Sequence, residues 1–250
     1  MGANAAPVRV CSGSGPIDGA VFSRLGYLLF CDTAAQRIMK WEQGLVTVFR
    51  ENTSAIGITF DHQGRLLACE RIRVTRTEKN GEITVLADGL KAARDVVYAI
   101  DGSIYFTDAP PTGGAVYQIT RRGEARAVAR DCGMPGGVAL APNQQKLFVS
   151  DGDGRRICVY AIAADGSLRD GRTFAQLLAR GLKTDENANV WAATEHAIAV
   201  FDSAGKQRGE IPLPEEPNNC GWGDGFSNLY VTAGRSVYRI ATKVDGTRTY

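Results

Sequence analysis

The sequence predicts an all-β fold, a six-bladed β-propeller with four antiparallel strands per blade, on three observations. Six short apolar runs recur along the chain, at 27–32, 65–70, 103–108, 146–151, 189–194 and 228–233. Their first residues lie 38, 38, 43, 43 and 39 positions apart, a period that belongs to repeat architectures. Each run is rich in aliphatic and aromatic residues, as in a strand buried on both faces, and Gly26, Gly64, Gly102 and Gly225 supply turns just ahead of four of them. Helix-period patterning is weak everywhere except around 174–179.

Each repeat divides into four strands. Inner strands are expected at 19–22, 57–60, 95–98, 137–140, 181–184 and 220–223, and each leads into one of the six runs, which form the second strands. Third strands follow at 37–41, 73–77, 115–120, 156–162, 197–202 and 236–240. Turns such as Lys79-Asn80-Gly81, Ala164-Asp165-Gly166 and Ser203-Ala204-Gly205 reverse the chain into outer strands at 46–50, 83–87, 125–129, 172–177 and 209–213. The last blade is one strand short. Segment 7–11 supplies it, closing the ring so that no long edge stays unpaired, and residues 1–250 form one propeller domain.

Composition narrows the function. At 44% hydrophobic and 22% charged, the 250 residues can bury a substantial core. A net charge of +2 without a Lys/Arg run gives no footprint for nucleic acid or a membrane surface. No apolar stretch reaches the roughly 18 residues of a membrane helix. The N-terminus lacks the layout of a secretory signal, and the six cysteines include no C-x-x-C pair, which points to a reduced, cytoplasmic protein.

The residue just before each inner strand sits at the mouth of the central channel, where a propeller presents its ligand site. Those positions are Asp18, Ile56, Arg94, Gly136, Arg180 and Asn219. The second strands run back toward the same face and bring Asp32, Glu70, Asp108 and Asp151 near it, while Trp222 lies close behind Asn219. Asp18, Arg94 and Arg180 are the catalytic candidates. Ile56, Glu70, Asp108, Gly136, Asp151, Asn219 and Trp222 are the candidates for holding substrate. His62 and His196 fall in turns of different blades and share no metal site; Cys220 lacks a basic partner and reads as an inert buried thiol.

Several stretches resemble the family of senescence marker protein (regucalcin), gluconolactonase and related lactonases. Residues 57–70 look like that family's second blade, 101–108 its third, and 142–151 and 217–223 its fourth and sixth. The resemblance implies a six-bladed propeller and one divalent metal, often calcium, held by a Glu, two Asn and an Asp opening blades one, three, four and five. Here those positions carry Asp18, Arg94, Gly136 and Arg180. Calcium takes about six to eight oxygen ligands, whereas a glycine offers none and two guanidiniums bring positive charge to the cation's place. At about 5 Å, two such charges repel a divalent ion by several kcal/mol even at an effective dielectric of about 20. No cofactor is expected, and Asp18 is the one family-like ligand position left as a carboxylate.

A small-molecule enzyme acting on lactones or esters follows from the resemblance, with the arginines binding an anion or polarising a carbonyl while Asp18 acts as base. Such a site suits an anionic small-molecule substrate. Two alternatives stay open: a biosynthetic enzyme catalysing cyclisation, condensation or epoxide opening, and a catalytically inactive ligand-binding module. Within the site, the arginines could equally pair with neighbouring acids and seal the mouth.

Overall fold

The computed structural model describes residues 6–248. Its strands form six four-stranded antiparallel sheets, and no helix occurs among the described residues. Blade one runs Ile17–Phe22, Leu28–Asp32, Arg37–Glu42 and Leu45–Arg50 from the axis outward. The next four blades repeat that order from inner strands Ala55–Phe60, Ala93–Tyr98, Pro135–Leu140 and Leu182–Thr184. Blade six begins with Pro217–Gly223 and takes its outer strand, Val8–Ser12, from the start of the chain, where it pairs with Ser236–Ala241. This is the ring closure expected from segment 7–11. Inner strands pack on one another in sequence, and the last packs on the first.

Burial explains why the repeats need each other. Second strands such as Leu28–Asp32, Leu66–Glu70 and Ile104–Asp108 are buried at every residue. The apolar clusters lie between blades rather than within them. One joins Leu29, Cys31 and Ile38 of the first blade to Ile58, Phe60 and Leu66 of the second. Another joins Trp191, Ile198 and Val200 of the fifth to Cys220, Leu229 and Val231 of the sixth. A single blade exposes both faces, so stability comes from stacking each on the next.

The outer strand expected at 172–177 is present as Leu168–Ala175, with Phe174 and Ala175 packed into the core between blades four and five, so the weak helical pattern at 174–179 forms no helix. One expectation needs correction. In blade six the inner strand starts at Pro217, and its ladder skips a residue between Pro217 and Asn219. The same skip follows Asp18, Ala55, Ala93 and Pro135 in other blades. Matching the ladders makes Asn218, not Asn219, the counterpart of Asp18, Ile56, Arg94, Gly136 and Arg180. An extra residue in one strand of a pair is a β-bulge, which shifts register without a sequence cue of its own.

Candidate functional site

A cavity of about 230 Å³ opens at the channel mouth and is bordered by Asp18, Ile56, Arg94, Gly136, Arg180 and Asn219, all six of the mouth positions expected from sequence. Asn218 and Asp95 border it too. Four substrate-holding candidates lie elsewhere. Glu70 is 2% exposed and accepts hydrogen bonds from Arg50, Arg73 and Thr75. Asp108 accepts the Lys91 and Ala92 N–H groups, and Asp151 accepts those of Met134 and Gly154 together with Arg156 Nε. Asp32 holds the Ser14 N–H and hydroxyl in the same way. Asp32, Asp108 and Asp151 fasten the loops that lead into the inner strands, Glu70 ties Arg50 of the first blade to its own, and none of the four borders the cavity. Trp222 lies at the far end of its strand, donating from Nε1 to the Thr184 carbonyl at 2.8 Å.

The rim depends on a ring of small residues one position deeper. In blade order these are Gly19, Gly57, Asp95, Gly137, Gly181 and Asn219. A Cβ on Gly57 would collide with the backbone and carboxylate of Asp95, and one on Gly181 with the backbone and amide of Asn219. Where the glycines give way, the side chain takes a backbone role. Asp95 accepts the Val96 N–H at 3.0 Å through one oxygen and the Val138 N–H of the next blade at 3.1 Å through the other. Ser150 donates to the Arg180 carbonyl at 2.7 Å and accepts the Gly137 N–H at 2.7 Å.

Electrostatics single out Asp18. It is half-buried, and its Oδ1 accepts the Gly19 N–H at 2.7 Å. Burial raises its carboxyl from 3.8 to about 6; the Gly19 N–H opposes this, Asp95 adds to it, and Arg94 and the Asn219 side chain pull it back. The two arginines differ. Arg180 pairs with Glu216 and donates to Asn218 Oδ1 at 2.6 Å, so its charge is already met by blade six. Arg94 is exposed, borders the cavity and forms no ion pair among the described residues. Neither arginine is bonded to Asp18. At Cys220 burial pushes the thiol up to about 11, which suits a packing role.

Most side-chain oxygens at the rim are already engaged within the protein. Both Asp95 oxygens are taken by backbone N–H groups, Asn219 Oδ1 by the Cys220 N–H at 2.9 Å, and Asn218 Oδ1 by Arg180. Asp18 alone cannot replace the about six to eight oxygens calcium takes. What the arrangement offers is a carboxylate with a raised pKa and a guanidinium within its field. Asp95 and Asn218, which sequence reasoning did not rank, are the residues it missed. The one available signal for Asp95 was a carboxylate standing where four of the other inner strands have glycine after the mouth residue.

A family model described as SMP-30/Gluconolactonase/LRE-like region matches residues 18–235. A gluconolactonase of Zymomonas mobilis is 29% identical over 197 residues, covering 65% of this chain and 55% of the relative, so the chain spans about half of that relative's length. Among solved structures, a gluconolactonase from Xanthomonas campestris superposes with a TM-score of 0.88 at 26% identity, covering 94% of this chain and 89% of the other. A calcium-binding regucalcin from Agrobacterium tumefaciens superposes with a TM-score of 0.83, covering 98% and 95%; at 14% identity it shares the fold.

Proposed function

Since the chain belongs to the SMP-30/gluconolactonase/LRE-like family, we propose that it hydrolyses small lactones or esters at the channel mouth, with Asp18 as general base and Arg94 as the electrophilic group. The observation that carries this reading is Asp18 itself, a half-buried carboxylate raised to about 6 in a cavity it shares with an arginine that has no acidic partner there. A base is most effective when its pKa lies near the working pH. In the proposed reaction Asp18 removes a proton from water as the oxygen attacks the carbonyl carbon. Arg94 stabilises the negative charge that develops on the carbonyl oxygen and then on the product carboxylate. The ring C–O bond breaks, the departing alkoxide takes up a proton, and the lactone plus one water becomes a hydroxy acid. Arg180, tied to Glu216 and Asn218, shapes the rim.

This reading runs without a metal, because Arg94 occupies the charge-stabilising role and the rim oxygens are committed to backbone donors. The test is hydrolysis of glucono-δ-lactone and simpler lactones before and after exhaustive chelation. Turnover that survives the chelator supports the reading. Turnover lost on chelation and restored by calcium overturns its metal-free part, and a folded protein that opens no lactone overturns the hydrolase assignment.

A further inference from the structure

A second cavity, of about 560 Å³, enters the channel from the opposite face. Its wall is set by the same strand register that builds the mouth. Three residues beyond each mouth position, the six inner strands present Val21, Thr59, Val97, Ala139, Lys183 and Gly221, and all six line this cavity. Five of these side chains are uncharged. Further out the wall carries Phe22, Phe60, Leu140 and Trp222, and its outer rim adds charged groups, among them Asp61, Arg65 and Glu78, which pair with one another.

Lys183 is the exception. Its Nζ donates to the carbonyl of its own neighbour Leu182 at 3.0 Å, and among the described residues no carboxylate lies within ion-pair distance of it. An ammonium has three donors, so two are left for a ligand or water in the cavity that Lys183 lines. Placing a charge on an apolar wall is unfavourable unless it is solvated or paired. A cavity of this size falls within the roughly 300–1,000 Å³ that take small organic ligands, which sit in mostly apolar pockets oriented by a few polar groups.

We propose that this far-face cavity is a binding site for an aliphatic carboxylate, its chain along the Val21–Val97–Ala139 wall and its carboxylate on Lys183. Charge complementarity selects the head group: an anionic oxygen satisfies the donors that no acid among the described residues meets. The apolar ring selects the tail. The site is separate from the mouth, so its failure would leave the hydrolase reading untouched.

Calorimetric titration with octanoate and with its neutral analogue octanamide tests the proposal. Octanoate should bind the wild-type protein with one-to-one saturation, and K183M should weaken it by about tenfold or more, as expected for a lost charge-assisted hydrogen bond. K183R should keep most of the affinity, and octanamide should bind wild type and K183M alike. R94M, at the opposite end of the channel, should bind octanoate as the wild type does. Should K183M fail to fold, K183Q takes its place in the series. The proposal is overturned if folded wild-type protein shows no saturable octanoate binding. Equal octanoate affinity in wild type and the uncharged variant overturns it as well, as does an affinity that falls with R94M instead.

Discussion

Replacing Asp18 by Asn should make the protein more stable and less active at once. The carboxyl is raised from 3.8 to about 6, so ionising it in the folded chain is harder than in the unfolded one. Between about pH 4 and pH 6 the folded state holds a proton that the unfolded state has released, and stability therefore falls as pH rises through that window. Above it the full penalty applies. Two units at 1.36 kcal/mol each give about 3 kcal/mol, and about 2 kcal/mol is a fair expectation for a side chain that water still reaches. Asn keeps the oxygen that accepts the Gly19 N–H at 2.7 Å but cannot ionise. Urea unfolding followed by tryptophan fluorescence should show D18N more stable by about 2 kcal/mol at pH 8, a rise of about 4–8 °C in melting temperature for a chain of this length. The difference should vanish below pH 4, where Asp18 is protonated in both states. Lactone turnover in D18N should drop by at least about a hundredfold, the usual contribution of a general base. A D18N protein no more stable than wild type at pH 8, or one whose advantage persists unchanged at pH 4, would falsify the electrostatic account of this site.

Glu70 should behave in the opposite sense. Against the penalty of burial, Thr75, Arg73 and Arg50 hold its carboxyl below the usual range, so its stabilisation is present above the ordinary value and is lost as pH falls through the lowered one. E70Q should lose about 3 kcal/mol at pH 7 in chemical unfolding, because it strands buried Arg50, and activity should fall only in step with folded fraction. G181A should destabilise by about 1–3 kcal/mol, since its Cβ meets Asn219, whereas G209A, with open space around it, should stay within about 0.5 kcal/mol in the same thermal melts. The lower limb of the kcat/KM profile, set near pH 6 by Asp18, should move up in R94M and down in D95N, because Arg94 lowers and Asp95 raises the Asp18 carboxyl; limbs that do not move would remove both charges from the argument.

The fold was readable because its strongest signal is chemical and periodic. Second strands buried on both faces must be apolar at nearly every position, so 66–70 and 104–108 announce themselves. Closure was readable because an outer strand was missing at one end of the sequence and spare at the other. The mouth was readable as five residues out of six. Blade six escaped because two adjacent asparagines follow Pro217 and nothing in the sequence says which one aligns with Asp18; the ladder gives Asn218 the mouth position and Asn219 the ring below. Asp108 and Asp151 were placed at the right end of the right strands, yet the N–H groups of Ala92 and Met134 decide where their carboxylates point. That depends on loop geometry, and no spacing rule carries it. Lys183 did leave a trace, as one charged residue where five other inner strands have Val, Thr, Val, Ala and Gly.

The bulge near the start of the inner strands gives the mouth its chemistry. By interrupting the ladder between inner and second strand, it frees backbone groups near the rim to bond across the gap between blades. The Gly137 N–H reaches the Arg180 carbonyl at 3.0 Å, and the Gly181 N–H reaches the Asn218 carbonyl at 2.9 Å. In blade three the Asp95 carboxylate makes the crossing instead, to Val138, and Thr107 crosses to the Gly136 carbonyl at 2.6 Å. Residues at the rim are thus held by the neighbouring blade as well as their own. A half-buried carboxylate such as Asp18 keeps a raised pKa only while its surroundings cannot relax around the charge. Interblade bonds supply that rigidity, and they do so through the positions where glycine allows the closest approach. Substitutions in this second ring should therefore alter the acidity of Asp18 before they alter the fold.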